Sequence, residues 1–219
     1  MARSRVAIVI PALNEASTIE SVVLAASKWG TCIVVDDGSS DSTYARARAA
    51  GAIVVTHPQN RGYDAALNSG FRHASEDGFE VIVTLDADGQ HEPSLVARLI
   101  ETIDAGADLV LGVRNHRARL AEHLFACYTM ALWRIRDPLC GLKAYRSEVF
   151  RALGHFDSYG SVGTELTLFA LRRGMRVRQI PFEVRERKDQ PRFGHRFAAN
   201  YRIMRSLAIS LFRRGRRGT

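Results

Sequence analysis

Cysteine is scarce in this 219-residue chain. There are three, Cys32, Cys127 and Cys140, with no CxxC pair and no cysteine–histidine spacing of a zinc site. A disulfide framework, a zinc knuckle and dithiol redox chemistry are thereby excluded. Cys32 lies in an apolar run and reads as a small core residue, and so sparse a thiol count suits a reducing cytosol. Long apolar runs are missing too. Pro11 and Asn14 cut the first after about six residues, too short for the core of a signal peptide. Nowhere do about 18 apolar residues run together, as a membrane-crossing helix requires, so contact with a membrane has to be peripheral or through a membrane partner protein. The loop after the first expected strand lacks G-x-G-x-x-G, and no G-x-x-x-x-G-K-[ST] occurs, which removes the two commonest glycine-rich phosphate cradles.

What is present describes a globular protein. At 46% hydrophobic and 25% charged residues, the chain can bury a core, and its length suits one domain with at most a short appendage. The net charge of +8 conceals an asymmetry. Residues 172–219 hold 15 of the 31 basic and 3 of the 23 acidic residues, a tail of +12, which leaves 16 basic and 20 acidic residues, or −4, for the remainder. A uniformly basic nucleic-acid binder is excluded, and no nucleic acid is expected as a partner.

Short Val- and Ile-rich runs at residues 5–10, 31–35, 52–56, 80–85 and 107–112 read as buried strands. Residues 15–29, 42–50, 63–75 and 93–105 between them read as helices, with Ser39, Ser40 and Asp41 as cap residues and Pro93 in a first turn. This alternation predicts an α/β fold with a mainly parallel sheet flanked by helices, whose ligands gather beyond the carboxyl ends of the strands. Later come an expected helix over 115–136, a turn-rich break at 137–141, a helix over 164–173, a strand over 177–184 and an amphipathic helix over 193–214. The division expected is a domain over 1–192 followed by a basic helical tail over 193–219.

The strand ends carry the chemistry. P-A-L-N-E follows the first strand, D-D-G-S-S-D the second and D-A-D-G-Q-H the fourth. Singly, each reads equally well as an Asx or Ser turn capping the next helix. Together they set carboxylates side by side, where they repel unless a cation neutralises them, so the cluster implies a divalent metal. Asp-x-Asp after a buried strand is a compact hard-oxygen chelate for Mg²⁺ or Mn²⁺. Acidic side chains plus metal, without a glycine cradle, point to a nucleotide-sugar or nucleotidyl transferase.

The segments I-V-I-P-A-L-N-E, I-V-V-D-D-G-S-S-D-S-T, N-R-G-Y-D-A-A-L-N-S-G and L-D-A-D-G-Q-H-E-P, in this order, resemble family 2 glycosyltransferases of the GT-A (Rossmann-like) fold. L-G-V-R, D-P-L-C-G-L-K-A-Y-R and G-T-E-L resemble the branch with the dolichol- and polyprenyl-phosphate mannose synthases. The likeness runs over residues 6–194. It implies that Pro11, Leu13 and Glu15 line the base pocket, with Val35 and Asp37 on base and ribose and Arg61 as a further contact. It sets Asp86 and Ala87 near the nucleotide, Asp88 and Gln90 on the metal, and Arg114 on the phosphates. Arg187 and Arg192 match a basic pair beyond the last strand, although their spacing is short and a solvated basic loop accounts for them as well. Leu13 stands where the synthases usually carry an aromatic, so guanine and uracil both stay open.

The implied reaction is an inverting displacement at the anomeric carbon, with a nucleotide-sugar donor (GDP-mannose or a UDP-sugar) and a polyprenyl-phosphate acceptor. If the acceptor is a hydroxyl, Asp137 is the candidate base. If it is a phosphate, Asp137 orients arginines or the acceptor, and a plain turn before Pro138 is the third reading. On the tail helix, Phe197, Tyr201, Met204, Leu207, Ala208, Leu211 and Phe212 recur at helical spacing among arginines. That pattern suits an anionic membrane surface, or packing on the domain or on a second subunit of a homo-oligomer. With the helix over 115–136 it would cradle the lipid acceptor, placing the protein on the cytoplasmic face of the membrane. The competing readings are a soluble transferase acting on a saccharide or protein hydroxyl, a non-catalytic basic binding module for membrane or nucleic acid, and an inactive subunit that localises a partner.

Overall fold

The computed structural model describes residues 5–89, 94–115, 119–183 and 196–215, with side chains of the last segment described for 200–211. In the first half, strands β1 (Val6–Ala12), β2 (Thr31–Asp36), β3 (Ile53–Thr56), β4 (Val81–Thr84) and β5 (Leu109–Arg114) alternate with helices α1 (Ile19–Ala26), α2 (Thr43–Ala49), α3 (Tyr63–Glu76) and α4 (Ser94–Asp104). There follow α5 (Leu120–Trp133), β6 (Lys143–Arg146), α6 (Ser147–Leu153), α7 (Glu165–Arg172), β7 (Val177–Phe182) and α8 (Arg196–Gly215). The seven strands form one sheet in the order β3-β2-β1-β4-β6-β5-β7. Every pairing is parallel except those of β6, which runs antiparallel to β4 and β5 with Lys143 opposite Thr84 on one side and Leu111 on the other.

The strands' period-two alternation supplies two cores. Ile8, Ile10, Val34 and Val83 point to the face covered by α1, α2 and α4. Ala7, Val9, Ile33, Val35, Ile82, Leu109 and Leu111 point to the other, under α3, α5, α6, α7 and α8. Both faces of a parallel sheet are buried, which is why its strands are apolar throughout.

Several expected boundaries shift, for local reasons. The first helix begins at Ile19 rather than 15, because Asn14 takes φ 52 and Glu15 gives its N–H to Thr43 Oγ1. The helix expected over 115–136 spans only Leu120–Trp133 and ends on Arg134 in the left-handed region at φ 58. Strand β6 and helix α6 were not expected. Lys143–Arg146 is four residues beginning with a lysine, and its strand character comes from the neighbours between which it is inserted.

On α8, the face packed on the domain is Ile203, Ser206, Leu207 and Ser210, all buried. Ser206 Oγ donates to the Ser161 carbonyl at 3.0 Å, and Arg172 Nη2 donates to the Ser210 carbonyl at 2.8 Å. Of the expected stripe, Leu207 is packed, whereas Tyr201, Met204, Ala208 and Leu211 stay exposed. The side chains of Phe197 and Phe212 lie outside the described residues.

Candidate active site

Parallel pairing of β2, β1 and β4 brings the three acidic strand ends to one edge of the sheet. There the loops after β1 and β2 are knitted together. The Asn14 N–H donates to Ser39 Oγ at 2.8 Å, Asn14 Oδ1 accepts the Ser40 N–H at 2.8 Å, and Asp36 Oδ1 accepts the Ser39 N–H at 3.0 Å. Only the Asp36–Ser39 contact is local turn chemistry; the two of Asn14 tie together loops that are distant in the chain. Pro11 and Leu13 are half-buried beside them, and Glu15 is buried. Val35 is wholly buried in the α3-side core, so its side chain does not line an open pocket.

Asp37 is buried and heavily engaged. Its Oδ1 accepts from the Arg61 N–H at 2.9 Å and meets His57 Nδ1 at 2.6 Å, while Oδ2 accepts the Gly62 N–H at 2.8 Å. His57 Nε2 lies 2.8 Å from Ser69 Oγ. The Asp37 carboxylate can only accept, so Nδ1–H is given to it, while the Ser69 hydroxyl can pair with Nε2 as donor or as acceptor. The groups fall in the order of a hydrolase triad, yet Ser69 is buried within α3, so the chain anchors the β3–α3 loop instead of activating a nucleophile. Gly38, at φ 78, makes the approach possible, because a Cβ there would lie 2.7 Å from the backbone of Gln59 and Asn60. Arg61 is thereby held by its backbone with its side chain exposed.

At the end of β4, Ala87 is buried and Asp86 and Asp88 are partly exposed. The Asp86 carboxylate rests on Gly141, where a Cβ would fall 2.4 Å from Oδ2, and Tyr63 Oη donates to Oδ1 at 3.4 Å. Burial and then the Asp86 charge hold the Tyr63 hydroxyl well above its usual pKa, so it stays a donor. Gln90 lies outside the described residues, and among these no three His, Cys, Asp or Glu side chains converge as a metal cage. One or two carboxylates with no soft donor fit a hard ion that takes its remaining oxygens from phosphate and water. Cys140, nearby, is pushed up to about 12 by burial and then by Asp137, and so remains a neutral thiol.

The end of β5 completes the site. Arg114 Nε donates to Asp137 Oδ2 at 2.8 Å and Nη2 to Oδ1 at 2.9 Å, and the Arg114 N–H reaches Oδ2 at 3.2 Å. Burial opposes the guanidinium charge, but the hydrogen bonds and charge of Asp137 outweigh it and hold the Arg114 pKa above its usual value. Glu122, buried in the first turn of α5, lies 3.5 Å from Arg114 Nη2 and accepts from Arg119 Nη1 at 3.0 Å. Both oxygens of Asp137 are thus given to an arginine, the geometry of an orienting group. Arg187 and Arg192 lie outside the described residues. His57, Gly141 and Glu122 were not picked out in the sequence. A lone histidine, a loop glycine and a helical glutamate carry no spacing signal, and only their neighbours in space distinguish them.

Residues 7–156 match the family model described as glycosyl transferase family 2. The chain belongs to this family. A relative, the polyprenol monophosphomannose synthase of Mycolicibacterium smegmatis, is 32% identical over 209 residues, covering 84% of this chain and 78% of the relative. The undecaprenyl-phosphate mannosyltransferase of Micrococcus luteus is 31% identical over 211 residues, covering 84% of this chain and 85% of that one. Within family 2, then, the chain resembles the polyprenyl-phosphate sugar transferases. Among solved structures, glucosyl-3-phosphoglycerate synthase from Mycobacterium tuberculosis, in complex with Mn²⁺, uridine diphosphate and phosphoglyceric acid, superposes with a TM-score of 0.77 at 28% identity. That match covers 95% of this chain and 78% of the other. The GT-A fold expected for a family 2 member is therefore the fold present.

Proposed function

We propose that this glycosyltransferase moves a sugar from a nucleoside-diphosphate sugar, GDP-mannose or a UDP-sugar, to a polyprenyl-phosphate lipid at a membrane surface. The observation that carries the lipid acceptor is the outer surface of two mutually packed helices. Leu120 (73% exposed), Leu124 and Met130 on α5, with Tyr201 (70% exposed), Met204 and Leu211 on α8, stand in solvent. Exposed Arg202 and Arg205 lie among those of α8. Apolar side chains beside cations suit an interface with anionic lipid. Among the described residues no helix is long and apolar enough to cross a membrane.

In this reading Pro11, Leu13 and Glu15 form the base pocket, Asp37 and Arg61 meet base and ribose, and Asp86 and Ala87 flank the nucleotide. Asp88 with Gln90 would hold Mg²⁺ or Mn²⁺, which supplies charge neutralisation at the diphosphate. Arg114 faces the phosphates, and Asp137 keeps it from swinging into solvent, so the cation is in place before the leaving group develops its charge. Arg187 and Arg192, which follow β7 in the chain, would add positive charge. A phosphate acceptor is already anionic and needs placement rather than deprotonation, which matches an Asp137 occupied by Arg114.

The likeness to a phosphoglycerate-using synthase favours a second reading, a soluble acceptor that itself carries a phosphate. Transfer from radiolabelled GDP-mannose and UDP-glucose, with polyprenyl phosphate in vesicles or 3-phosphoglycerate in solution, separates the two. Label in the lipid phase supports the proposal, and label only in the aqueous phosphoglycerate product overturns it.

A further inference from the structure

Val162 adopts φ 54 and Gly163 follows at φ 71. A β-branched residue takes the left-handed conformation only when its surroundings impose it. Here a half-buried carboxylate and a buried ammonium do so from opposite sides. Asp64, in the first turn of α3, accepts the Val162 N–H at 3.2 Å and the Gly163 N–H at 2.7 Å. Lys143, the first residue of β6 and 2% exposed, donates from Nζ to the Gly163 carbonyl at 2.6 Å, the Pro138 carbonyl at 3.0 Å and Thr167 Oγ1 at 3.2 Å. The 162–163 segment is gripped by a carboxylate at its N–H groups and by an ammonium at its carbonyl.

The grip reaches the site in two directions. Gly163 lies against Tyr63, since a Cβ there would be 3.7 Å from Tyr63 Cε1, and Tyr63 donates to Asp86. Pro138, the other carbonyl bound by Lys143, directly follows Asp137, which holds Arg114. Neither charge is comfortable where it sits. Burial, followed by Asp157, pushes the Asp64 carboxyl up to about 6, and burial pushes the Lys143 ammonium down to about 8. Charged groups kept in so costly a place are weak sources of stability, but they hold a loop in one geometry.

We propose that Asp64 and Lys143 are positioning residues for sugar transfer. Their clamp on the Val162–Gly163 backbone fixes Tyr63 against Asp86 on the donor side and the Pro138 turn behind Asp137 and Arg114 on the other. The proposal rests on reading this sheet edge as the transfer site, and the experiment keeps the two apart.

The test uses the full chain with Asp64→Asn, Val162→Gly, the double variant and Lys143→Met, assayed well below each melting temperature. Binding of UDP and GDP with Mn²⁺ is titrated separately from transfer. Asp64→Asn should lower kcat at least tenfold with acceptor KM within about threefold, the scale expected when reacting groups lose sub-ångström placement. Glycine takes φ 54 without penalty, so Val162→Gly in the Asp64→Asn background should regain most of the lost kcat, a rescue that general destabilisation would not produce. Lys143→Met, where it folds, should show the same kcat-selective loss, and where it does not, the Asp64 and Val162 pair decides. A folded Asp64→Asn variant with wild-type kcat, or no regain in the double variant, overturns the clamp while leaving the active site standing. A wild-type chain that binds neither nucleotide overturns the active-site reading and the clamp with it.

Discussion

Replacing Asp137 by Asn tests what the Arg114–Asp137 pair is for. The carboxylate is 1% exposed and receives three donors from one residue, so the amide keeps a single oxygen acceptor and presents an NH₂ where Arg114 needs another. Breaking a fully buried ion pair costs about 3–5 kcal/mol. The Arg114 side chain is 22% exposed and Glu122 remains 3.5 Å away, so partial hydration and a second carboxylate offset part of that. A loss of about 2 kcal/mol follows, the size of one charged hydrogen bond, and for a chain of this length it lowers Tm by about 4–8 °C. Transfer should fall about 100-fold through misplacement of the arginine. The double-mutant cycle with Arg114→Ala decides the mechanism. If Asp137 acts through Arg114, the double variant is no slower than Arg114→Ala alone. Multiplicative losses in steady-state transfer assays would refute the orienting role and restore Asp137 as a base.

Gly141→Ala places a methyl group 2.4 Å from Asp86 Oδ2; transfer should drop at least tenfold while far-UV circular dichroism is unchanged, and wild-type rates would show that Asp86 need not stay where it is. Asp88→Ala should remove the Mn²⁺ dependence of nucleotide binding measured by calorimetry, and a retained Mn²⁺ effect would take the metal elsewhere. Burial lowers the folded pKa of Lys143 to about 8 from 10.5. The unfolded chain therefore binds more protons between those values, and the Lys143 contribution makes stability rise with pH there by up to about 3 kcal/mol. Urea titrations at pH 7.5 and 10 should show this rise in wild type and lose it in Lys143→Met, and parallel curves would count against it. Met204→Glu with Leu211→Glu should reduce sedimentation with anionic vesicles at least tenfold without changing nucleotide affinity, and equal sedimentation would detach α8 from the membrane.

The strands that were legible are those whose residues are apolar because both sheet faces are covered, and their order along the chain sufficed to bring Glu15, Asp37 and Asp86 to one edge. β6 was illegible because K-A-Y-R has no periodicity of its own, and with it went Lys143. Asp37 was picked out, but its ties to His57, Arg61 and Gly62 join loops that lie 20 to 25 residues apart in the chain. Arg114 and Asp137 were each named as catalytic candidates. Their pairing was not, because 23 residues separate them and only the antiparallel insertion of β6 brings the turn before it back beside β5.

The sequence by itself determined a mainly parallel sheet through its alternating apolar runs, and its ordered motifs carried the resemblance to family 2 glycosyltransferases. Such motifs are local, since a strand and the turn that follows it fit within about a dozen residues and carry their own pattern. The tertiary structure alone decided which carboxylates hold backbone, which holds an arginine, and which face of α8 is buried. Hydrogen bonds and burial between distant segments depend on distances in space, and spacing along the chain does not encode them.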